Sequence, residues 1–145
     1  MKNILHIISF ITLLSAFILM LIFGFWFLYP YHPAEFTEDN FKVYPTEIKP
    51  GQNLTMVIPY CKYSSLPATI DQRFIDSLIY IRPTFSVDNP TGCHTIKVSV
   101  PIPYGLPPER YVIEQIVTYR VNPIREIKIM AHSESFQIVQ GGETE

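Results

Sequence analysis

The sequence predicts an all-β domain, an antiparallel sandwich of six or seven short strands, preceded by one transmembrane helix. Three observations predict it. From Ile7 to Tyr29 the chain carries no charged residue. After Tyr31 apolar residues recur every second position in short runs, the period of a half-buried strand. All 13 prolines lie from Pro30 onward, separating those runs.

The opening, "MKNILHIISFITLLSAFILMLIFGFWFLYPYHP", sets the first element. At about 1.5 Å per residue the uncharged run reaches roughly 34 Å, enough to cross a bilayer core. A cleaved signal peptide has a shorter apolar region ending at small residues, whereas "GFWFLYPYH" places bulky rings there. The run is therefore read as a retained anchor. Lys2 precedes it, and Glu35, Glu38 and Asp39 follow it before the next cation, Lys42. Because Lys and Arg tend to remain cytoplasmic, the N-terminus is expected inside and the domain outside. Trp26, Tyr29 and Tyr31 fall at the outer headgroup level, where amphipathic rings anchor a helix. His6 lies too near the cytoplasmic end to mark a proton path, and Gly24 stands without a Gly-x-x-x-Gly partner.

The expected organisation is a cytoplasmic N-terminus at 1–6, the helix at 7–29, a tether at 30–40, the domain at 41–139 and a flexible tail at 140–145. A tether of that length spans at most roughly 35 Å, which lets the domain tip over. Six segments fill the domain. "FKVYPTEI" ends at the Pro-Gly turn "KPGQN". In "LTMVIPYCKY", Leu54, Met56, Ile58 and Tyr60 share a face, and in "RFIDSLIYIRP" Ile75, Ile79 and Ile81 do. "HTIKVSVPIP" alternates through Ile96, Val98, Val100 and Ile102, and "RYVIEQIVTYRV" through Tyr111, Ile113, Val117, Tyr119 and Val121. In "IKIMAHSESFQIV" the phase slips between Ala131 and Phe136, which predicts a bulge or a change of partner. Pro45, Pro59 and Pro101 are expected to discourage pairing at exposed edges.

Composition bounds the function. The chain has 11 Lys and Arg against 13 Asp and Glu, a formal net charge of −2, and loss of Lys2 leaves −3 for the remainder. No basic stripe or arginine-aromatic stacking run is present, so no nucleic-acid partner is expected. There is no Gly-x-Ser-x-Gly, phosphate loop or His-Glu-x-x-His motif. His132 beside Ser133, Glu134 and Ser135 forms a polar run, but successive strand residues cannot converge on one atom. Asp71 and Asp76 make no catalytic pair, and His32, His94 and His132 are scattered singly, too few for zinc. The chain is accordingly expected to be no enzyme and to take no cofactor, metal or small-molecule substrate. Asn53-Leu54-Thr55 fits a glycosylation acceptor in a eukaryotic secretory route.

The strand run from 41 to 139, with "LPPERY" opening its penultimate strand, resembles immunoglobulin-like domains. The resemblance implies that the Tyr111 hydroxyl bonds back to upstream backbone, as a corner tyrosine does; the alternative is a plain core aromatic. Neither cysteine falls in the penultimate strand and no tryptophan accompanies one, a departure from the antibody pattern. Short strands and prolines on a membrane anchor are also similar to small sandwich proteins of phages and bacterial envelopes.

In that topology the second and fifth strands, B and E, are antiparallel neighbours. The resemblance thus implies that Cys61, at the end of B, meets Cys93, at the start of E, in a structural disulfide outside the cytoplasm. It also implies two poles. Lys62, Tyr63 and Arg125 lie at the pole nearest the membrane, where Lys62 and Arg125, with Arg73, are candidates to touch anionic headgroups. Lys49, Gln52, Tyr104, Leu106 and Arg110 lie at the far pole, candidates to engage a protein partner; the alternative is that Leu106 and the prolines only shape the corner. Two functions are expected: a membrane-anchored protein-binding module outside the cytoplasm, or a structural subunit of a viral or envelope assembly that associates with itself.

Overall fold

The structure, a computed structural model, describes residues 2–76 and 79–140. The uncharged run forms one helix, α1 (Lys2–Leu28), which stops just before Pro30. Among the described residues none of its side chains is buried: Phe10, Leu13 and Met20 are 66, 69 and 70% exposed. A helix that is apolar all round and buries nothing in protein calls for lipid as its solvent. From His6 to Leu28 it is long and apolar enough to cross a membrane.

Among the described residues eleven strands follow. The first five are β1 (Ala34–Phe36), β2 (Asn40–Tyr44), β3 (Glu47–Ile48), β4 (Asn53–Lys62) and β5 (Ala68–Ile75). The others are β6 (Ile79–Ile81), β7 (Phe85–Val87), β8 (Gly92–Pro101), β9 (Arg110–Asn122), β10 (Arg125–Ser133) and β11 (Phe136–Ile138). They form two groups. In one, β4 is flanked by β8 on one side and by β1 and β2 on the other. In the other, β9 is flanked by β5 and by β10 and β11, with β6 and β7 beyond β5.

The two groups share one core. Phe41, Val43, Leu54, Met56, Ile58 and Val100 from the first pack with Phe74, Tyr111, Ile113, Phe136 and Ile138 from the second. The alternation read from the sequence sets these faces. In β4 Leu54, Met56, Ile58 and Tyr60 point inward, and in β9 Tyr111, Ile113, Val117 and Tyr119 do. Each such side chain contributes roughly 1.5–3 kcal/mol when taken fully from water.

Several expectations need correction. The sheet is mixed rather than purely antiparallel, because β2 runs parallel to β10 and β3 parallel to β11. The first strand of the domain divides at Pro45, so its two halves serve different groups. "RFIDSLIYIRP" is not one strand: β6 folds back on β5, pairing Arg73 with Ile81 and Ile75 with Ile79. Ile79 and Ile81 are therefore 59 and 71% exposed, and Phe74 is the residue that enters the core. β5 also starts before that segment, at Ala68.

Pro59 is no edge residue, since β4 has neighbours on both sides. Its carbonyl accepts Thr37 N–H at 3.2 Å in the gap between β1 and β2, so its missing N–H costs no ladder bond there. The phase slip is a bulge. Between the pairs His132–Glu114 and Phe136–Tyr111 the later strand carries one extra residue. Ser133 Oγ fills the gap by accepting Ile113 N–H at 2.8 Å, and Glu134 N–H donates to the Phe41 carbonyl at 2.8 Å.

The tether is shorter than its expected span of 30–40. β1 pairs with β4 from Ala34 to Phe36, and the Pro33 carbonyl accepts Tyr63 N–H at 2.8 Å and Ser64 N–H at 3.2 Å. The segment is therefore stitched to the domain almost from the helix end. Residues 141–145 of the expected tail lie outside the described residues.

Candidate functional site

Cys61 and Cys93 face each other directly across β4 and β8 and are bonded. Cys61 is 8% exposed and Cys93 is open to solvent. The bond closes the helix-side end of the longest ladder, just before both strands give way to loops.

At the far pole the "KPGQN" turn is closed by Gln52 N–H on the Lys49 carbonyl at 3.2 Å and by Lys49 N–H on Gln52 Oε1 at 3.1 Å. Gly51 occupies φ +82°, the left-handed region open to glycine. A side chain there would overlap the Tyr104 ring, which lies against the glycine. Tyr104 is nevertheless 84% exposed. Its ring lies against the Gly51 backbone on one side and is open to solvent on the other.

Of the five residues expected at that pole, Lys49, Gln52 and Tyr104 gather around this turn. Leu106 does not: its contact reading is corrected, and its burial agrees with the alternative that it shapes the corner. It is 4% exposed and belongs to the core, where its side chain shapes the "PYGLPPER" loop from inside. Arg110 is exposed but lines a separate recess with Thr46, Glu47 and Gln137, beside β3 and β11. The Tyr111 hydroxyl donates to the Pro107 carbonyl at 3.1 Å while its ring is fully buried, so the corner and core readings both describe it. Burial first, and the nearby Asp76 carboxylate next, push its phenol well above the ordinary value.

At the other pole the β9–β10 hairpin meets the helix end. Asn122 Nδ2 donates to the Trp26 carbonyl at 3.1 Å, and Arg125 Nη1 donates to the Phe27 carbonyl at 3.1 Å and the Tyr29 carbonyl at 2.6 Å. These are carbonyls of the last turn and just beyond it, where a helix leaves acceptors unpaired. A cationic side chain there also suits the negative end of the helix dipole. Tyr29 packs between Phe25 and Tyr31, and the Tyr31 hydroxyl is 3.1 Å from Ser64 Oγ. Phe25, Trp26, Tyr29, Tyr31 and Arg125 border a recess of about 300 Å³.

Lys62 requires correction as a headgroup contact. It is 2% exposed, and its ammonium donates to the Asn89 carbonyl at 2.6 Å and to Asp88 Oδ1 at 3.3 Å. The even phase of β4 turns its stem inward, and the β7–β8 connection supplies the acceptors. Tyr63 is exposed and donates its hydroxyl to Glu35. That bond, with lesser contributions from desolvation and the Glu35 charge, raises its phenol pKa.

Sequence reasoning missed a polar pair in the core. Gln72 and Gln115, 2 and 4% exposed, are joined at 3.3 Å, and Arg82 donates to Gln72 Oε1. The signal was Gln115 standing in the inward phase between Ile113 and Val117. Tyr60 is buried with the other even residues of β4, and its hydroxyl has no protein partner beside an apolar cavity of about 40 Å³ between the two groups of strands. Among the described residues no group of three or more His, Cys, Asp or Glu side chains could hold a metal ion.

No protein-family model and no curated protein matches the chain. Two of the solved structures that are similar to it serve as examples. One is the alkylpurine DNA glycosylase AlkC of Pseudomonas fluorescens bound to DNA containing an abasic site analog, at 13% identity and a TM-score of 0.39. The match covers 72% of this chain and 31% of that one. The other is the sporulation control protein Spo0M of Bacillus subtilis, at 9% identity and a TM-score of 0.43, covering 78% of this chain and 51% of that one. The chain thus spans about a third and about half of these proteins' lengths. The flat expectation that the chain is no enzyme is corrected, because one matching structure is that of an enzyme. At these TM-scores neither likeness assigns a reaction, a ligand or a partner.

Proposed function

We propose that the chain is a membrane-anchored module of immunoglobulin-like type that binds another protein outside the cytoplasm through its far pole. The observation that carries the reading is Tyr104, 84% exposed with its ring lying against Gly51. Tyrosine is among the residues that dominate interfaces. Lys49 and Gln52 stand beside it on the same turn.

The immunoglobulin-like reading is supported by the division of the first strand between β4 and β11, by the neighbouring β4 and β8, and by the Tyr111–Pro107 bond. An N-in, C-out orientation is supported by Lys2 before the helix and acidic residues after it. The Cys61–Cys93 bond suits an oxidising compartment.

A structural subunit of a phage or envelope assembly is the second reading, favoured by Ile79, Ile81 and Phe85. They are 59, 71 and 37% exposed on β6 and β7, the outer strands beyond β5. Photo-crosslinking of the full chain in its native membrane, with the probe at Tyr104 or at Ile81, separates the two. Capture of one discrete protein from position 104 supports the binding module. Self-adducts from position 81, with nothing captured from 104, overturn it in favour of assembly.

A further inference from the structure

We propose that the tip of the β9–β10 hairpin, Pro123 and Ile124, is a second membrane contact seated in the headgroup layer from which α1 emerges. The inference rests on α1 being a membrane anchor. Its ground is the way the tip is fixed. The residues on either side of it, Asn122 and Arg125, hold the carbonyls of Trp26, Phe27 and Tyr29. The tip is thereby kept beside the last turn of the helix, the turn that carries the aromatic residues favoured at a lipid–water boundary.

The chemistry of the tip fits that layer. Ile124 is 45% exposed and Pro123 is open, so apolar surface faces outward at the end of a hairpin. Asn122 Oδ1 accepts Ile124 N–H at 3.1 Å and Pro123 has no N–H, so the tip brings no unpaired backbone donor into the layer. Among the described residues no carboxylate pairs with Arg125, whose Nη1 bonds only to neutral carbonyls. Its charge stays available to lipid phosphates. Arg120, next along on the same hairpin, is by contrast balanced by Glu126 at 3.1 Å. A lipid surface supplies both halves of the match, apolar depth for Ile124 and phosphate for Arg125.

The chain has a single tryptophan, Trp26, so fluorescence quenching by brominated lipids reads depth directly. The full chain is reconstituted in vesicles of phosphatidylcholine and phosphatidylglycerol with bromines near the headgroup. Native Trp26 reports the anchor. Ile124→Trp and Tyr104→Trp, each in a Trp26→Phe background that leaves the backbone carbonyl in place, report the tip and the far pole. Quenching several-fold stronger at 124 than at 104, with blue-shifted emission, is expected. Emission at 124 as red and as weakly quenched as at 104, with Trp26 quenched, overturns the tip contact and leaves the anchor standing. An unquenched Trp26 overturns both. Should Ile124→Trp fail to form the Cys61–Cys93 bond, Pro123→Trp reads the same depth.

Discussion

Asn122 and Trp26 lie 96 positions apart, yet the carboxamide of the first donates to the carbonyl of the second at 3.1 Å. The same carboxamide accepts Ile124 N–H, so one side chain closes the hairpin turn and caps the helix. Replacing it with alanine removes both bonds. Asn122→Ala is expected to lower the stability of the full chain by about 1–2 kcal/mol, the scale of a lost bond plus an unpaired group. It should also broaden the distance between spin labels on the helix and on β4, read by pulsed EPR. An unchanged distribution would show that the cap does not hold the domain to its anchor.

The disulfide closes a loop across 32 positions of sequence. Constraint of the unfolded chain makes such a link worth about 3–4 kcal/mol. Cys61→Ala together with Cys93→Ala should lower the urea midpoint accordingly, leaving the core strands in place. A change below 1 kcal/mol, on the order seen for surface substitutions, would count against the staple.

Lys62 and Asp88 form an ion pair of unequal partners, 2 and 73% exposed. Asp88→Asn should cost less than about 1 kcal/mol, because its carboxylate sits in water. Lys62→Ala should cost about 2–4 kcal/mol, since it opens a cavity and strips the Asn89 carbonyl of its donor. Chemical unfolding of the two variants gives the comparison, and equal losses would refute the asymmetry.

Two core tyrosines should respond oppositely to loss of a hydroxyl. Tyr111 donates to Pro107, so Tyr111→Phe is expected to destabilise by about 1 kcal/mol. The Tyr60 hydroxyl has no protein partner, so Tyr60→Phe is expected to be neutral or stabilising by about 1 kcal/mol. A Tyr60→Phe variant clearly less stable than the parent would place a partner at that hydroxyl.

Tyr111 also sets an alkaline limit. Its phenol is raised in the folded chain, whereas an unfolded tyrosine ionises near pH ~10. Above that pH the unfolded state binds fewer protons than the folded one, so stability falls as pH rises through and beyond it. Below it the contribution is fully present. Unfolding followed from pH 8 to 11 (values set about the ~10 of free tyrosine) should show a shallower alkaline decline in Tyr111→Phe. An identical slope would assign the decline to other groups.

By itself the sequence determined the apolar helix, the β-rich domain and the Cys61–Cys93 pair. Each rests on a regular signal: an uncharged run long enough for a bilayer, inward residues at every second position, and the placing of B beside E in the topology those strands resemble. Tertiary structure alone decided where the irregular residues went. Lys62 reads as a surface cation until the chain around Asp88 and Asn89, 26 and 27 positions on, encloses it. Leu106 reads as an exposed loop residue until the core closes over it. Ile79 and Ile81 lose their place in the core because the chain folds back after β5. The helix cap depends on Asn122 and Arg125 arriving at carbonyls nearly a hundred residues earlier. Periodicity records which face a residue takes within its own element. It carries no record of which distant group will meet that face, because that is fixed only when the strands pack.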